Sequence, residues 1–284
     1  MSFLKNIQLQ QLINLLLLIF LGLNTNTLQA NIFTIIILML FASFLELLCK
    51  KELYIPYSAA ITSLGVVLMV GWTLWYIPFV VITLAILQKH YLKIDYKHIF
   101  NPSNFALILA IFIFYPKALP IIGEIGKSSI IVFIVILIGS LILLRVNRYL
   151  ITIAYLISYI ALNYIINANS DPYWNSEHFI SSLYSTSFIV YIFFMLTDPV
   201  TTPSKTKHQI YFGISVAIVN ILLNYFIGVR LWHQFLALFL VTILFTPIYR
   251  NLTNYDKKKL TIILLLSLTI AIYISTLKPL FFSM

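Results

Sequence analysis

Eleven apolar runs, with charge confined almost entirely to the gaps between them, decide what this chain can fold into. They cover approximately residues 7–23, 32–49, 57–71, 74–88, 103–115, 129–145, 149–167, 179–197, 208–227, 231–249 and 260–277. Glu46 is the only acidic residue inside them. A membrane crossing takes about 20 residues, with a range of about 17–25. Runs 57–71, 74–88 and 103–115 fall short of that. They read as half-helices, re-entrant segments or tilted pieces shielded by protein, with Gly65, Gly71 and Pro78 among them. The chain is 9% charged, where a soluble domain carries roughly 25%. The expected fold is therefore all-α: a polytopic transmembrane helical bundle of about 9–11 apolar segments, some short or broken. Residues 1–284 form a single integral membrane domain.

The net charge of +10 does not indicate a nucleic-acid partner, because the basic residues sit in short loops between apolar runs. The partner they indicate is a lipid bilayer. With the N-terminus inside, fourteen lysines and arginines fall in inner loops, and Lys117, Lys127, Arg230 and Lys278 fall outside. That asymmetry is the positive-inside pattern of a multi-pass protein of a bacterial inner membrane. Cys49 is the sole cysteine, so the chain has no internal disulfide. No phosphate-binding or dinucleotide glycine motif occurs. The five histidines are not spaced as zinc ligands and read as interfacial or loop residues.

Phe193-Phe-Met-Leu-Thr-Asp-Pro-Val-Thr-Thr-Pro-Ser204 ends an apolar run with dense polar punctuation. An acid placed directly after a helix opposes its dipole. The favourable reading makes Asp198 an N-cap, with Pro199 at the first helical position of a new helix. Asn101-Pro-Ser-Asn104 repeats that arrangement ahead of a short run. Each Asx-Pro step follows a hydroxyl-rich block, Ser58 to Ser63 in one case and Ser182 to Ser187 in the other. The echo suggests an internal duplication with halves of about 30–148 and 149–277, and a site between them. Taken singly, each motif reads first as a routine cap, and it is the pair together that brings the site reading level with it. Glu46 and Lys50 are four residues apart in the favourable order for a helical ion pair. Trp72, Trp75 and Tyr76 form a cluster suited either to the interfacial belt or to stacking on a flat ligand.

The segment Phe194 to Pro203 resembles the signature of the NqrB/RnfD family, the large membrane subunits of the sodium-pumping NADH:quinone oxidoreductase and of the Rnf electron-transport complex. Asn101-Pro102-Ser103-Asn104, the Ser58 to Gly65 block, Gly213 and Phe235 to Pro247 are similar to further family features, so the likeness runs from about residue 50 to 250. It implies flavin-linked electron transfer coupled to ion movement, with other membrane redox subunits as partners. The family's serine-glycine-alanine-threonine block, whose threonine carries a covalent flavin, has no counterpart in residues 169–187, where Thr186 is the only threonine. A flavin (FMN or riboflavin) is therefore expected to be held noncovalently. The residues expected to face it are Ser58, Thr62 and Ser63; Asn101, Ser103 and Asn104; and Thr197, Asp198, Thr201 and Thr202. Two alternatives remain: a small-solute or flavin transporter without redox activity, and a structural assembly subunit.

The charge pattern makes a prediction of its own. Lys258→Cys, in a Cys49→Ala background, should stay unlabelled by a membrane-impermeant maleimide in intact cells and react once the membrane is opened. Labelling in intact cells would reverse the orientation.

Overall fold

A computed structural model describes residues 7–25, 28–52, 54–121, 129–167, 175–183 and 185–277. Lys5, Lys127 and Lys278 of the charge count lie outside these. Among the described residues the chain is a bundle of helices. The first five are α1 (Ile7–Asn24), α2 (Ile32–Lys50), α3 (Tyr57–Met69), α4 (Ile77–Tyr91) and α5 (Pro102–Phe114). There follow α6 (Ser129–Val146), α7 (Tyr149–Leu162), the short α8 (Ser176–Ser182) and α9 (Thr186–Val190). The last three are α10 (Thr206–Ile227), α11 (His233–Tyr249) and α12 (Asn254–Thr276). Helix α7 continues as a π-helical turn, Asn163–Asn167, and α9 continues as another, Tyr191–Met195. Among the described residues, five helical stretches are long and apolar enough to cross a membrane: α1, α2, Tyr149–Ile166, α10 and α12.

The short runs are short helices for a reason that their surroundings make clear. Thirteen residues in α3, and thirteen in α5, span about 20 Å at about 1.5 Å per residue, against a hydrocarbon core about 30 Å thick. Extended backbone makes up the difference. At one end β1 (Val70–Trp72) pairs antiparallel with β4 (Ala118–Pro120), Gly71 facing Leu119. At the other end β2 (Lys93–Ile94) pairs with β3 (Lys97–His98). Extended chain at membrane depth survives only when its amides are paired and walled off from lipid. Pairing satisfies the strand amides, while the short helices themselves are shielded: ten residues of α3 are buried, and nine of α5. The longer helices α1, α2 and α12 surround them with apolar outer faces such as Phe33, Leu40 and Ile272. Two glycines permit close helix approach. A Cβ on Gly65 would lie 2.1 Å from Ser103 Oγ, and one on Gly213 would lie 2.5 Å from the Ile151 carbonyl oxygen.

The basic connections gather at one end of the bundle. The β2–β3 hairpin turns through Asp95 and Tyr96, both at positive φ (52° and 60°), the backbone of a tight two-residue hairpin that most side chains resist. The guanidinium of Arg250, after α11, offsets this by donating to the carbonyls of Ile94 (3.0 Å), Lys97 (2.9 Å) and His98 (2.9 Å). It also reaches Val200 O at 3.0 Å, joining the hairpin to the segment after α9. Lys259 of α12 donates to Tyr91 O and Lys93 O, both at 3.0 Å. The Trp72 end is the opposite one. There the Trp72 amide donates to Gln29 Oε1 at 2.7 Å, and Trp75 is exposed. That is a belt position.

The pairing of Glu46 differs from the sequence expectation. Lys50 stands 4.0 Å away, while Lys89 of α4 closes to 2.7 Å with both partners buried, and Tyr54 Oη donates to the other carboxylate oxygen at 2.8 Å. Sequence spacing reveals partners on the same helix and cannot reveal one on a neighbouring helix. Removing one member of a buried pair strands the other charge, typically at about 3–5 kcal/mol, whereas replacing both with apolar residues is often neutral. Lys89→Met should therefore sharply reduce the yield of monodisperse, detergent-solubilised protein, and Glu46→Leu/Lys89→Leu should restore it. A Lys89→Met protein as stable as the parent would show that the pair contributes nothing.

Candidate functional site

Asn101 is the N-cap of α5, with Pro102 at the first helical position, as the sequence indicates. Its side-chain oxygen accepts from the backbone amides of Ser103 and Asn104, both at 3.1 Å. This fixes the orientation of the carboxamide, since only its oxygen can accept both bonds. The NH2 group is left pointing away from the helix. It donates to Asp198 Oδ2 at 3.2 Å. The two Asx-Pro motifs, 97 residues apart in sequence, thus meet directly.

Asp198 does not start a helix. It opens a tight turn whose carbonyl accepts from the amides of Thr201 (3.2 Å) and Thr202 (3.1 Å), and α10 begins only at Thr206. Two prolines within five residues and a chain that must cross to the next helix favour this compact corner over a continued helix. Asp198 Oδ1 accepts from the Val200 amide at 3.0 Å, and His98 Nε2 stands 3.9 Å from Oδ2. Burial works against the charged carboxylate. The His98 imidazole, then the Val200 amide and the Asn101 carboxamide outweigh it and hold the Asp198 pKa below its ordinary value.

Asp198 therefore does more than cap its turn. Both of its oxygens accept, one from Val200 and one from Asn101. An asparagine there would turn an NH2 group toward one of these donors.

A cleft of about 130 Å3 opens beside the junction. Of the residues expected to face a ligand, Ser58, Thr62, Asn101, Ser103 and Asp198 line it. The apolar lining includes Ile61, Val190, Phe194 and Met195, the last two from the π-helical turn before Asp198. One wall comes from α1. No lysine or arginine lines it among the described residues.

The other five expected residues build the walls instead. Ser63 is fully buried and donates to Ala60 O at 2.9 Å. Asn104 turns toward α11 and donates to Phe235 O at 3.2 Å. Thr197 donates back to Phe193 O at 2.8 Å. The Thr201 carbonyl accepts from Tyr249 Oη at 2.6 Å. Thr202 Oγ1 donates to Asp198 O at 2.6 Å and lies 3.3 Å from Arg148 Nε. Hydroxyls in helices bond back to carbonyls three or four residues earlier, so residue type alone overstates how many face a ligand.

Sequence reasoning missed His98, Arg148 and Arg250. The two arginines read as loop charges, yet each is buried and clasps the Asp198 turn: Arg250 through Val200 O, and Arg148 through Thr202 and Pro199 O (3.4 Å). Nothing in their sequence context separates a clasp from an exposed inner-loop charge. His233, expected at an interface, is fully buried, with Nδ1 2.8 Å from Asn224 Oδ1.

A second cleft, of about 120 Å3, lies toward the opposite end, and its lining includes Tyr159, Ser182, Ser185, Asn224, Arg230 and Gln234. The two hydroxyl-rich blocks of the sequence echo therefore sit at opposite ends: Ser58 and Thr62 at the first cleft, Ser182 and Ser185 at the second. The side chain of Thr186 lies outside the described residues. Between the clefts stands a column of rings. Tyr159 stacks on Tyr155 at 5.4 Å, Tyr155 meets Tyr191 edge-on at 5.5 Å, and Tyr191 meets Phe235 at 5.3 Å.

No curated protein matches the chain. The model of the NQR2, RnfD, RnfE family matches residues 112–257, a stretch that takes in the Asp198 turn and both clasping arginines and leaves Asn101 and helices α1 to α4 before it. Because that match spans just over half of the chain, the chain belongs to the NQR2, RnfD, RnfE family.

Proposed function

We propose that this multi-pass membrane protein takes part in flavin-linked electron transport coupled to ion movement, with a neutral flavin held noncovalently in the cleft beside Asp198. The observation that carries this reading is the composition of that cleft. Its enclosed volume of about 130 Å3 is below the range of about 300–1,000 Å3 that small-molecule sites occupy, so the cleft would have to widen to admit the ring. Ile61, Phe194 and Met195 supply apolar surface for a flat ring system. The hydroxyls of Ser58, Thr62 and Ser103 supply neutral hydrogen-bonding groups for a ring edge or a polyhydroxyl chain. Among the described residues a phosphate would find only His98 as a basic group on the lining, beside Asp198, whose carboxylate it would face in an unfavourable pairing. The cleft chemistry therefore favours riboflavin over FMN. When bound, the flavin would supply one- and two-electron redox chemistry. The protein's part is to hold and orient it and keep water away.

The ring column favours electron transfer over a solute channel. Tyr155, Tyr191 and Phe235 are completely buried between the clefts. Solutes must displace such a plug, whereas electrons pass through packed protein. The transporter reading needs a second conformation in which the column parts. Placement in a bacterial inner membrane with a cytoplasmic N-terminus, and association with other redox subunits, complete the proposal.

The purified protein, extracted with acid, should release a flavin that migrates as riboflavin, and denatured protein should show no in-gel flavin fluorescence. A colourless protein that does not bind added riboflavin would remove the flavin from this reading, and riboflavin uptake by reconstituted vesicles would favour transport.

Asp198→Asn should weaken riboflavin binding by at least about tenfold, roughly 1.4 kcal/mol, while the protein still accumulates in the membrane. Equal affinity would reduce the turn to a structural corner. The depressed pKa also sets a pH window. Stabilisation by the Asp198 carboxylate is present above the unfolded-state value of about 3.9 and is lost as pH falls through the lower folded value. In a His98→Gln background, which removes the neighbouring imidazole, the Asp198-dependent part of binding, taken as the difference made by Asp198→Asn, should be flat from pH 8 to 5. A loss centred near pH 6 would exclude Asp198 as the group responsible.

A further inference from the structure

Arg230 stands apart from the other cations drawn into the bundle. Arg148 and Arg250 clasp the Asp198 turn, and Lys89 pairs with Glu46. Arg230 lies toward the other end, in the connection between α10 and α11, and has no acidic partner among the described residues. Its half-buried guanidinium folds back over its own loop, donating to Val229 O at 3.2 Å and Ile227 O at 3.5 Å, while Nε is buried without a partner. The flanking helices add donors and no charge. Asn224 of α10 is 8% exposed, and its Oδ1 lies 2.8 Å from His233 Nδ1. The oxygen is therefore spent on the imidazole N–H, and the NH2 group is what Asn224 has left to give. Gln234, in the first turn of α11, lines the second cleft with Asn224 and Arg230. Trp232, the N-cap of α11, gives the first amides of that helix no side-chain bond, so the positive end of the helix dipole is left uncompensated there. The hydroxyls of Ser182 and Ser185 are already spent on Phe179 O and Ser182 O. No acid lines the cleft among the described residues.

We propose that this second cleft is an oxyanion site, with Arg230, Asn224 and Gln234 as the residues that bind a small phosphate- or sulfate-like group. The group is either a free inorganic anion or the phosphate head group of a lipid in the adjacent leaflet. The cleft volume of about 120 Å3 is room for about four water molecules at about 30 Å3 each. That space takes an inorganic oxyanion and excludes a nucleotide, so the site is independent of the flavin reading above. An anion there would receive charge-assisted hydrogen bonds from the guanidinium and would neutralise a cation that no acid among the described residues neutralises. Val229 and Leu231, exposed on the same lining, would give a lipid chain an apolar surface. The anion would also tie α10 to α11 across a connection that turns through Gly228 at φ 83°.

Two measurements on the full chain, purified in a neutral detergent, test this. The first needs no variant: the rate at which phenylglyoxal modifies Arg230, read by peptide mass spectrometry. Phosphate or sulfate at about 10 mM, against chloride at equal ionic strength, should slow that rate at least about fivefold and leave the exposed Arg145 unaffected. The second is thermal unfolding. The same anions should raise the Tm of the parent by at least about 2 °C. Arg230→Gln and Gln234→Leu should lose the rise, and Lys258→Gln, at the basic end, should keep it. Protection of Arg230 by short-chain phosphatidylglycerol, with none from phosphate, sulfate or short-chain phosphatidylcholine, would uphold the site and identify its anion as a lipid head group. Modification of Arg230 at one rate whatever the anion would overturn the proposal, and so would an Arg230→Gln protein that keeps the full thermal rise.

Discussion

The hydrogen bond from Asn101 to Asp198 is the constraint on which the rest of the basic end depends. It works because the two side chains have complementary and already committed chemistry. Asn101 gives its oxygen to two amides at the start of α5 and has only NH2 left to offer. Asp198 gives one oxygen to its own turn and has one acceptor left. Each corner thus presents the one group that the other lacks. The junction ties the short-helix region around α3 and α5 to the segment ahead of α10, and it lies in the wall of the cleft.

The corners are held from behind by backbone-directed arginines. Arg250 fastens the β2–β3 hairpin and the Asp198 turn with one guanidinium, and so presents His98 to the carboxylate. Arg148 fastens the other side of the turn. Guanidinium groups suit this task because they carry five donors in a fixed plane and do not deprotonate. The same logic governs the short helices. They leave backbone to be satisfied at both ends, and short paired strands and buried cations satisfy it where lipid cannot.

The sequence is a good guide to the periodic features and a poor one to contacts between elements. The apolar runs correspond to helices, and the shortness of 57–71 and 103–115 is real, because length and composition are local properties. The Asn101-Pro102 cap is legible for the same reason. Asp198-Pro199 has the same letters, yet it makes a turn, because the prolines and hydroxyls that follow favour local bonds over a helix. Glu46 has a good partner at Lys50 by spacing and a closer one at Lys89 by packing. Ser63, Asn104, Thr197, Thr201 and Thr202 have the right chemistry for a ligand, but it is spent on carbonyls and neighbouring helices. Asn224, Arg230 and Gln234 carry no motif. Only the fold gathers them at the second cleft.

The central claim is that Asn101 and Asp198 act as one unit, and a double-mutant cycle in thermal stability tests it most directly. The parent, Asn101→Ala, Asp198→Ala and the double variant would be compared in the same detergent. Residues in direct contact typically show coupling of about 0.5–3 kcal/mol, and independent sites add within about 0.3–0.5 kcal/mol. The account predicts clear coupling, with the double variant little worse than the worse single one. Strictly additive losses would mean that the two corners are separate caps that happen to be neighbours.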